Sequence, residues 1–143
     1  MTDPHGPTPD PALMRGVIPY LALEGRAGEA ADFYQRAFAG LDLGRVPDAE
    51  RPGCYLHLQM AINGGCLMMT DHGGCEQPPV SGQSRQCGHL QLVVDDGPAW
   101  WERAIAAGCE VVQPYERQFW GDDWGLLRDP FGLHWAILQS EST

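Results

Sequence analysis

Positive charge is scarce in this sequence. Nine lysines and arginines stand against 19 aspartates and glutamates, for a net charge of −10 over 143 residues. With no basic patch, a duplex or an anionic membrane surface would be repelled, so neither nucleic acid nor membrane is expected as a partner. No run of 18 apolar residues exists, which excludes a transmembrane helix. The opening residues, MTDPHGPTPDPAL, lack the basic and apolar segments of a secretory leader, and a cytoplasmic location is expected. No CxxC pair occurs. The five cysteines, Cys54, Cys66, Cys75, Cys87 and Cys109, are odd in number and suit reduced, often buried thiols rather than a disulfide framework. A zinc site built from Cys75, Cys87 and His72 would match no structural-zinc spacing. Cys75 has no neighbouring lysine, arginine or second cysteine to lower its pKa, and reads as a plain surface thiol. No glycine-rich loop links a strand to a helix, so no nucleotide-type cofactor cradle is visible.

What is present reads as one domain. Residues 1–14 carry four prolines and little apolar content, and predict a disordered tail. Residues 15–143 form the domain. VIPYLAL at 17–23 predicts a short strand, with Pro19 placing it at an edge or a strand end. RAGEAADFYQRAFA at 26–39 has helical apolar spacing through Ala27, Ala30, Ala31, Tyr34, Ala37 and Phe38, with Gly40 as its C′ residue. A strand follows over 41–46. CYLHLQMAI at 54–62 alternates: Leu56, Leu58, Met60 and Ile62 point one way, Tyr55, His57 and Gln59 the other. Asn63-Gly64 signals a hairpin into a strand at 66–70. A polar linker over 71–86 leads to HLQLVV at 89–94, where Leu90, Leu92 and Val94 oppose His89 and Gln91. Asp95 or Asp96 caps a second helix ending at Gly108, with Trp101, Ala104 and Ile105 as its apolar stripe. A strand over 109–113 ends at Pro114. The stretch 117–137, RQFWGDDWGLLRDPFGLHWAI, then supplies Trp120, Trp124 and Trp135 and a DPFG turn between two strands.

The chain repeats itself. Module one (16–70) and module two (87–139) share the order strand, helix, glycine turn and three strands, with AFAGLDLGRV at 37–46 matching AIAAGCEVVQ at 104–113. The fold class is therefore α+β, built from two βαβββ modules. Each module has a helix on one sheet face, and the other face must be covered by the second module, another chain or a ligand.

In PYLALEGRAGEAADFYQRAF (19–38), HLQMAINGG (57–65), LMMTD (67–71), LVVDD (92–96), RAIAAG (103–108), QFWGDDWG (118–125) and DPFGLHW (129–135), the sequence resembles the vicinal oxygen chelate superfamily. This superfamily includes glyoxalases, bleomycin-resistance proteins, fosfomycin-resistance enzymes and extradiol dioxygenases. The likeness is to its PhnB-like branch. The resemblance implies a cupped eight-stranded mixed sheet with helices on the outer face, in a homodimer. It also implies that Trp135 and Ile137 face the helix, while His134 and Ala136 face the cup. Metal enzymes of the superfamily place four ligands, typically His and Glu, on the first and last strands of each module. Here His89 matches one. The last-strand Glu falls on Ala136, no carboxylate lies within Cys66–Thr70, and nothing near Pro19 can ligate.

Three readings of function remain open. The first is a small-molecule binding protein without the usual metal set and without a cofactor. It would hold an apolar or cationic ligand with Tyr55, His57, Gln59, His89, Gln91, Gln118, Trp120, Asp122, Trp124 and His134. The second is a divalent-metal lyase, isomerase or transferase of the glyoxalase type, its site rebuilt from His89 with His57, His134 or Asp71. The third is a metal-free enzyme in which His89 or His57 is a general base and Asp122 or Glu116 its partner.

Overall fold

The computed structural model describes residues 13–72 and 88–140. Most of the expected tail and linker, with Cys75 and Cys87, lies outside them. Ten elements follow in order: β1 (Tyr20–Ala22), α1 (Ala27–Phe38), β2 (Leu41–Pro47), β3 (Tyr55–Ile62), β4 (Gly65–Thr70), β5 (Leu90–Val93), α2 (Gly97–Ala107), β6 (Glu110–Arg117), β7 (Asp123–Arg128) and β8 (His134–Gln139). The strands form two four-stranded mixed sheets, β1-β4-β3-β2 and β5-β8-β7-β6. In each, the first strand runs parallel to the last and the other pairs are antiparallel. The repeat legible in the sequence is thus a repeat of topology. The chain divides into two compact units, residues 13–35 with 39–72, and Arg36–Phe38 with 88–140.

In the first unit, Leu58, Met60, Leu67 and Met69 are buried on one sheet face, and Ala27, Ala30, Ala31 and Tyr34 are buried along α1. Each large side chain withdrawn from water contributes roughly 1.5–3 kcal/mol. Asp71, just after β4, ties this core together. Its Oδ1 accepts from the backbone N–H of Gly25 (2.7 Å) and Ala27 (2.9 Å), and its Oδ2 accepts from Tyr55 N–H (2.8 Å). One buried carboxylate thereby caps the entry to α1 and pins the start of β3.

Two details of this unit depart from the sequence reading. First, β3 carries a bulge: His57 pairs with Val46, but Tyr55 pairs with Pro47, so Leu56 is an extra residue. The bulge reverses the alternation at its end. Leu56 is 46% exposed. Tyr55 turns to the α1 side, where a Cβ on Gly28 would stand 2.8 Å from its ring and the Arg45 guanidinium lies 5.4 Å from the ring centroid. Tyr55 is therefore not on the face that carries His57 and Gln59. Second, the left-handed residue ending α1 is Ala39 (φ 52°), not Gly40. Gly40 is needed for space, since a Cβ there would sit 2.7 Å from Met60 Cε and 3.1 Å from the Tyr34 carbonyl oxygen.

In the second unit, Asp96 caps α2 by accepting from Ala99 N–H at 3.2 Å. Gly97 and Ala104 are buried along α2, and Trp101 between them is half-buried. Ile105 lies at the margin, 38% exposed, and is not core. Trp101 stacks on Tyr115 and closes over Gly125, where a Cβ would stand 2.7 Å from the indole. Phe38 packs against Trp135 with centroids 4.5 Å apart. β6 does not stop at Pro114 but continues to Arg117. As an edge strand it needs no N–H from proline, and its register shifts between Gln113 and Glu116. The turn between β7 and β8 is organised by buried Asp129. Its Oδ1 accepts from Phe131 and Leu133 N–H, and its Oδ2 accepts from Trp135 Nε1–H, each at 2.9 Å.

Two stability predictions follow from these contacts. Asp71→Ala leaves three backbone donors without their acceptor and is expected to cost about 3 kcal/mol or more in urea unfolding. Asp71→Asn retains the oxygen that serves two of them and is expected to cost less. At the end of α1, Ala39→Gly relieves the left-handed strain and is expected to stabilise by about 0.5–1 kcal/mol. Gly40→Ala, one residue on, is expected to destabilise by about 1–2 kcal/mol through overpacking. Thermal melts of the pair check the opposite signs.

Candidate functional site

The helix-free face of the second sheet follows from register. Gln91 pairs with Ala136, Ala136 with Leu126, Trp124 with Leu138, and Arg128 with His134. Paired residues share a face, as do residues two apart along a strand. Gln91, His134, Ala136, Trp124 and Arg128 therefore lie on one face. Trp135, Ile137 and Leu127 lie on the other, in the core. Glu116 on β6 pairs with Trp124 and joins the helix-free face.

Four of the sequence-predicted residues meet there. Trp124 Nε1–H donates to Gln91 Oε1 at 3.4 Å, and His89 Nε2 lies 3.4 Å from the same oxygen. The His89 and Trp124 rings meet edge-on with centroids 6.0 Å apart. Trp120 stands edge-on to Trp124 at 6.2 Å, and Phe119 edge-on to Trp120 at 5.0 Å. Trp120 is 49% exposed and Phe119 96% exposed. Large apolar rings held in water at this density mark a binding surface more often than a structural one.

Gln118 has a different task. Its side-chain amide donates to the Glu116 and Trp124 carbonyls at 3.1 Å each, and its N–H donates to the Asp122 carbonyl at 2.8 Å. It shapes the loop that presents Trp120. Asp122, half-buried, supplies that loop with a backbone acceptor. His134 is half-buried beside Arg128, whose guanidinium pairs with Glu110.

The first unit has its own helix-free face. Tyr20 pairs with Met68, Met68 with Gln59, and His57 with Val46, so these side chains share one side. The Tyr20 hydroxyl lies 2.6 Å from His57 Nδ1. Burial pushes the His57 imidazole below its ordinary pKa and the Tyr20 phenol above its own, so both are neutral near pH 7. No local pattern around Tyr20 marks it as a site residue. Its partner lies 37 residues away, and only the parallel β1–β4 pairing brings them together.

Among the described residues, no three His, Cys, Asp or Glu groups are arranged to hold a metal ion. Asp71 spends both carboxylate oxygens on backbone N–H groups, and His57 spends Nδ1 on Tyr20.

Comparison with known proteins agrees with the fold. An uncharacterized protein of Mycobacterium tuberculosis, Rv0887c, is 39% identical over 135 residues, covering 91% of this chain and 75% of its own length. Among solved structures, TioX from Micromonospora sp. ML1 superposes with a TM-score of 0.67 at 26% identity, covering 90% of this chain and 98% of its own. A putative 3-demethylubiquinone-9 3-methyltransferase, the PhnB protein of Bacillus cereus, shares the fold with a TM-score of 0.67 at 18% identity, covering 88% of this chain and all of its own. The family model for the Glyoxalase/Bleomycin resistance protein/Dioxygenase superfamily matches residues 19–137, and the chain belongs to that superfamily.

Proposed function

We propose that this protein binds a planar, apolar or cationic small molecule on the helix-free face of its second sheet, without the superfamily's usual metal set. One observation carries the reading: Trp124 and Trp120 stand edge-on, 6.2 Å apart, with His89 and Gln91 at their side. A flat ligand stacking on an indole gains dispersion and, if positively charged, attraction to the ring face. Glu116, in register with Trp124, and the net charge of −10 favour a cation further. The Gln91 amide and the His89 imidazole supply hydrogen bonds that would fix its orientation. The same reading holds that the protein works in the cytoplasm as a homodimer, which sedimentation at twice the 15.7 kDa chain mass would check.

The test is a fluorescence or calorimetric titration with planar cationic dyes and their neutral and anionic counterparts. Quenching by the cations is expected, with Trp124→Ala weakening binding roughly tenfold or more and Trp120→Ala less. If no ligand class bound while some substrate was turned over, the reading would fall. Elemental analysis of protein purified without an affinity tag is expected to find zinc, nickel, iron and manganese well below one per chain, even after metal loading. A stoichiometric metal lost on His89→Ala would instead establish a metal enzyme.

A further inference from the structure

The two helix-free faces are built to one plan. In the second unit Gln91 pairs with Ala136 and Ala136 with Leu126, and Trp124 stands two residues before Leu126. In the first unit Tyr20 pairs with Met68 and Met68 with Gln59, and His57 stands two residues before Gln59. Tyr20 therefore corresponds to Gln91, and His57 to Trp124. Both diagonal pairs are hydrogen-bonded, Trp124 to Gln91 at 3.4 Å and Tyr20 to His57 at 2.6 Å. The shared position is filled by an amide and an indole in one unit, and by a phenol and an imidazole in the other.

The shorter contact has a definite polarity. Between two neutral groups, phenol is the stronger acid and imidazole the stronger base, so the Tyr20 O–H donates and His57 Nδ1 accepts. The ring proton then sits on Nε2. Among the described residues Nε2 meets no partner. Tyr20 is 52% exposed and His57 half-buried, so solvent reaches the pair. On the same face half-buried Val46 gives apolar surface beside the pair, Met68 lies buried between Tyr20 and Gln59, and Gln59 adds an amide.

We propose that Tyr20 and His57 form a second binding site, on the first unit, in which Tyr20 locks the His57 tautomer and Nε2–H donates to a carbonyl oxygen of an apolar ligand. A locked tautomer matters because a free imidazole divides its population between a donor and an acceptor at Nε2. Tyr20 removes the second option, so the site selects ligands that accept a hydrogen bond. Tyr20 is a positioning residue, since it acts through His57. The proposal does not depend on the Trp124 site in the second unit.

The experiment uses the full chain and two probes of one shape, acetophenone, which has a carbonyl acceptor, and ethylbenzene, which lacks one. Long-range proton–nitrogen correlation spectra of the His57 ring report its tautomer. The Nε2-protonated pattern is expected in the parent protein, and a mixed pattern in Tyr20→Phe. Acetophenone is expected to shift the His57 ring signals and to bind about fivefold more weakly in His57→Phe, whereas ethylbenzene affinity stays the same in both. Tyr20→Phe is expected to give a smaller loss for acetophenone alone. Trp124→Ala should leave acetophenone's effect on His57 unchanged, which separates this site from the one on the second unit. A mixed or Nδ1-protonated ring in the parent protein would overturn the proposal. So would equal binding of the two probes, or no shift at His57 at the solubility limit of acetophenone.

Discussion

The buried carboxylate of Asp71 is the contact on which the first unit depends. Three backbone N–H groups converge on it from the α1 entry and from β3. A charged acceptor serving three donors is among the stronger polar arrangements in a protein interior, and removing it leaves each donor desolvated without a partner. The carboxylate follows β4, so it fixes three elements to one another once β4 has paired. Asp129 does similar work in the second unit, where one side chain satisfies two turn N–H groups and the Trp135 indole. Each sheet thus has an aspartate at the end of a strand that converts local turn chemistry into tertiary structure. The parallel β1–β4 and β5–β8 pairings then place side chains distant in sequence beside each other on the open faces.

Much of the fold was legible because it rests on local signals. Alternation in 54–62 and 89–94, the helical spacing of 27–38, Asn63-Gly64 with both residues at positive φ, and the DPFG turn each appear where expected. The misreadings share a cause. Tyr55, Ala39, Pro114 and Ile105 were misplaced because their environments depend on other elements. The bulge at Leu56 is set by how β2 meets β3. Gly40 is a glycine because Met60 occupies its space. Pro114 is tolerated because, among the described residues, no strand lies beyond β6. Periodicity describes one strand at a time and does not contain these neighbours.

The site divides in the same way. His89, Gln91, Trp120 and Trp124 were legible as uncharged polar and aromatic residues on the non-core side, and the second unit brings them into contact. Gln118 was legible as a residue of that loop, but its side-chain amide is spent on backbone carbonyls. Tyr20 was not legible, because nothing within a few residues of it hints at His57. The signal that could have found it is the repeat itself. Had the two modules been aligned strand by strand, Tyr20 would have stood opposite Gln91.

That alignment also bears on the chemistry. Met68 holds in β4 the place that Ala136 holds in β8, since each pairs with the first strand of its unit in the same row. Likeness to the metal enzymes of the superfamily would put a carboxylate on each of these last strands. This chain has thioether and methyl groups in the row, neither of them a hard-metal ligand. Around each stands a hydrogen-bonded pair of neutral side chains, Tyr20 with His57 and Gln91 with Trp124. Neutral donors and aromatic faces recognise organic molecules through shape, stacking and directed hydrogen bonds, and they keep their geometry without an ion to organise them. The scaffold is that of the superfamily, while the side chains at its repeated positions are thioether, methyl and neutral hydrogen-bonding groups in place of the carboxylates of its metal enzymes.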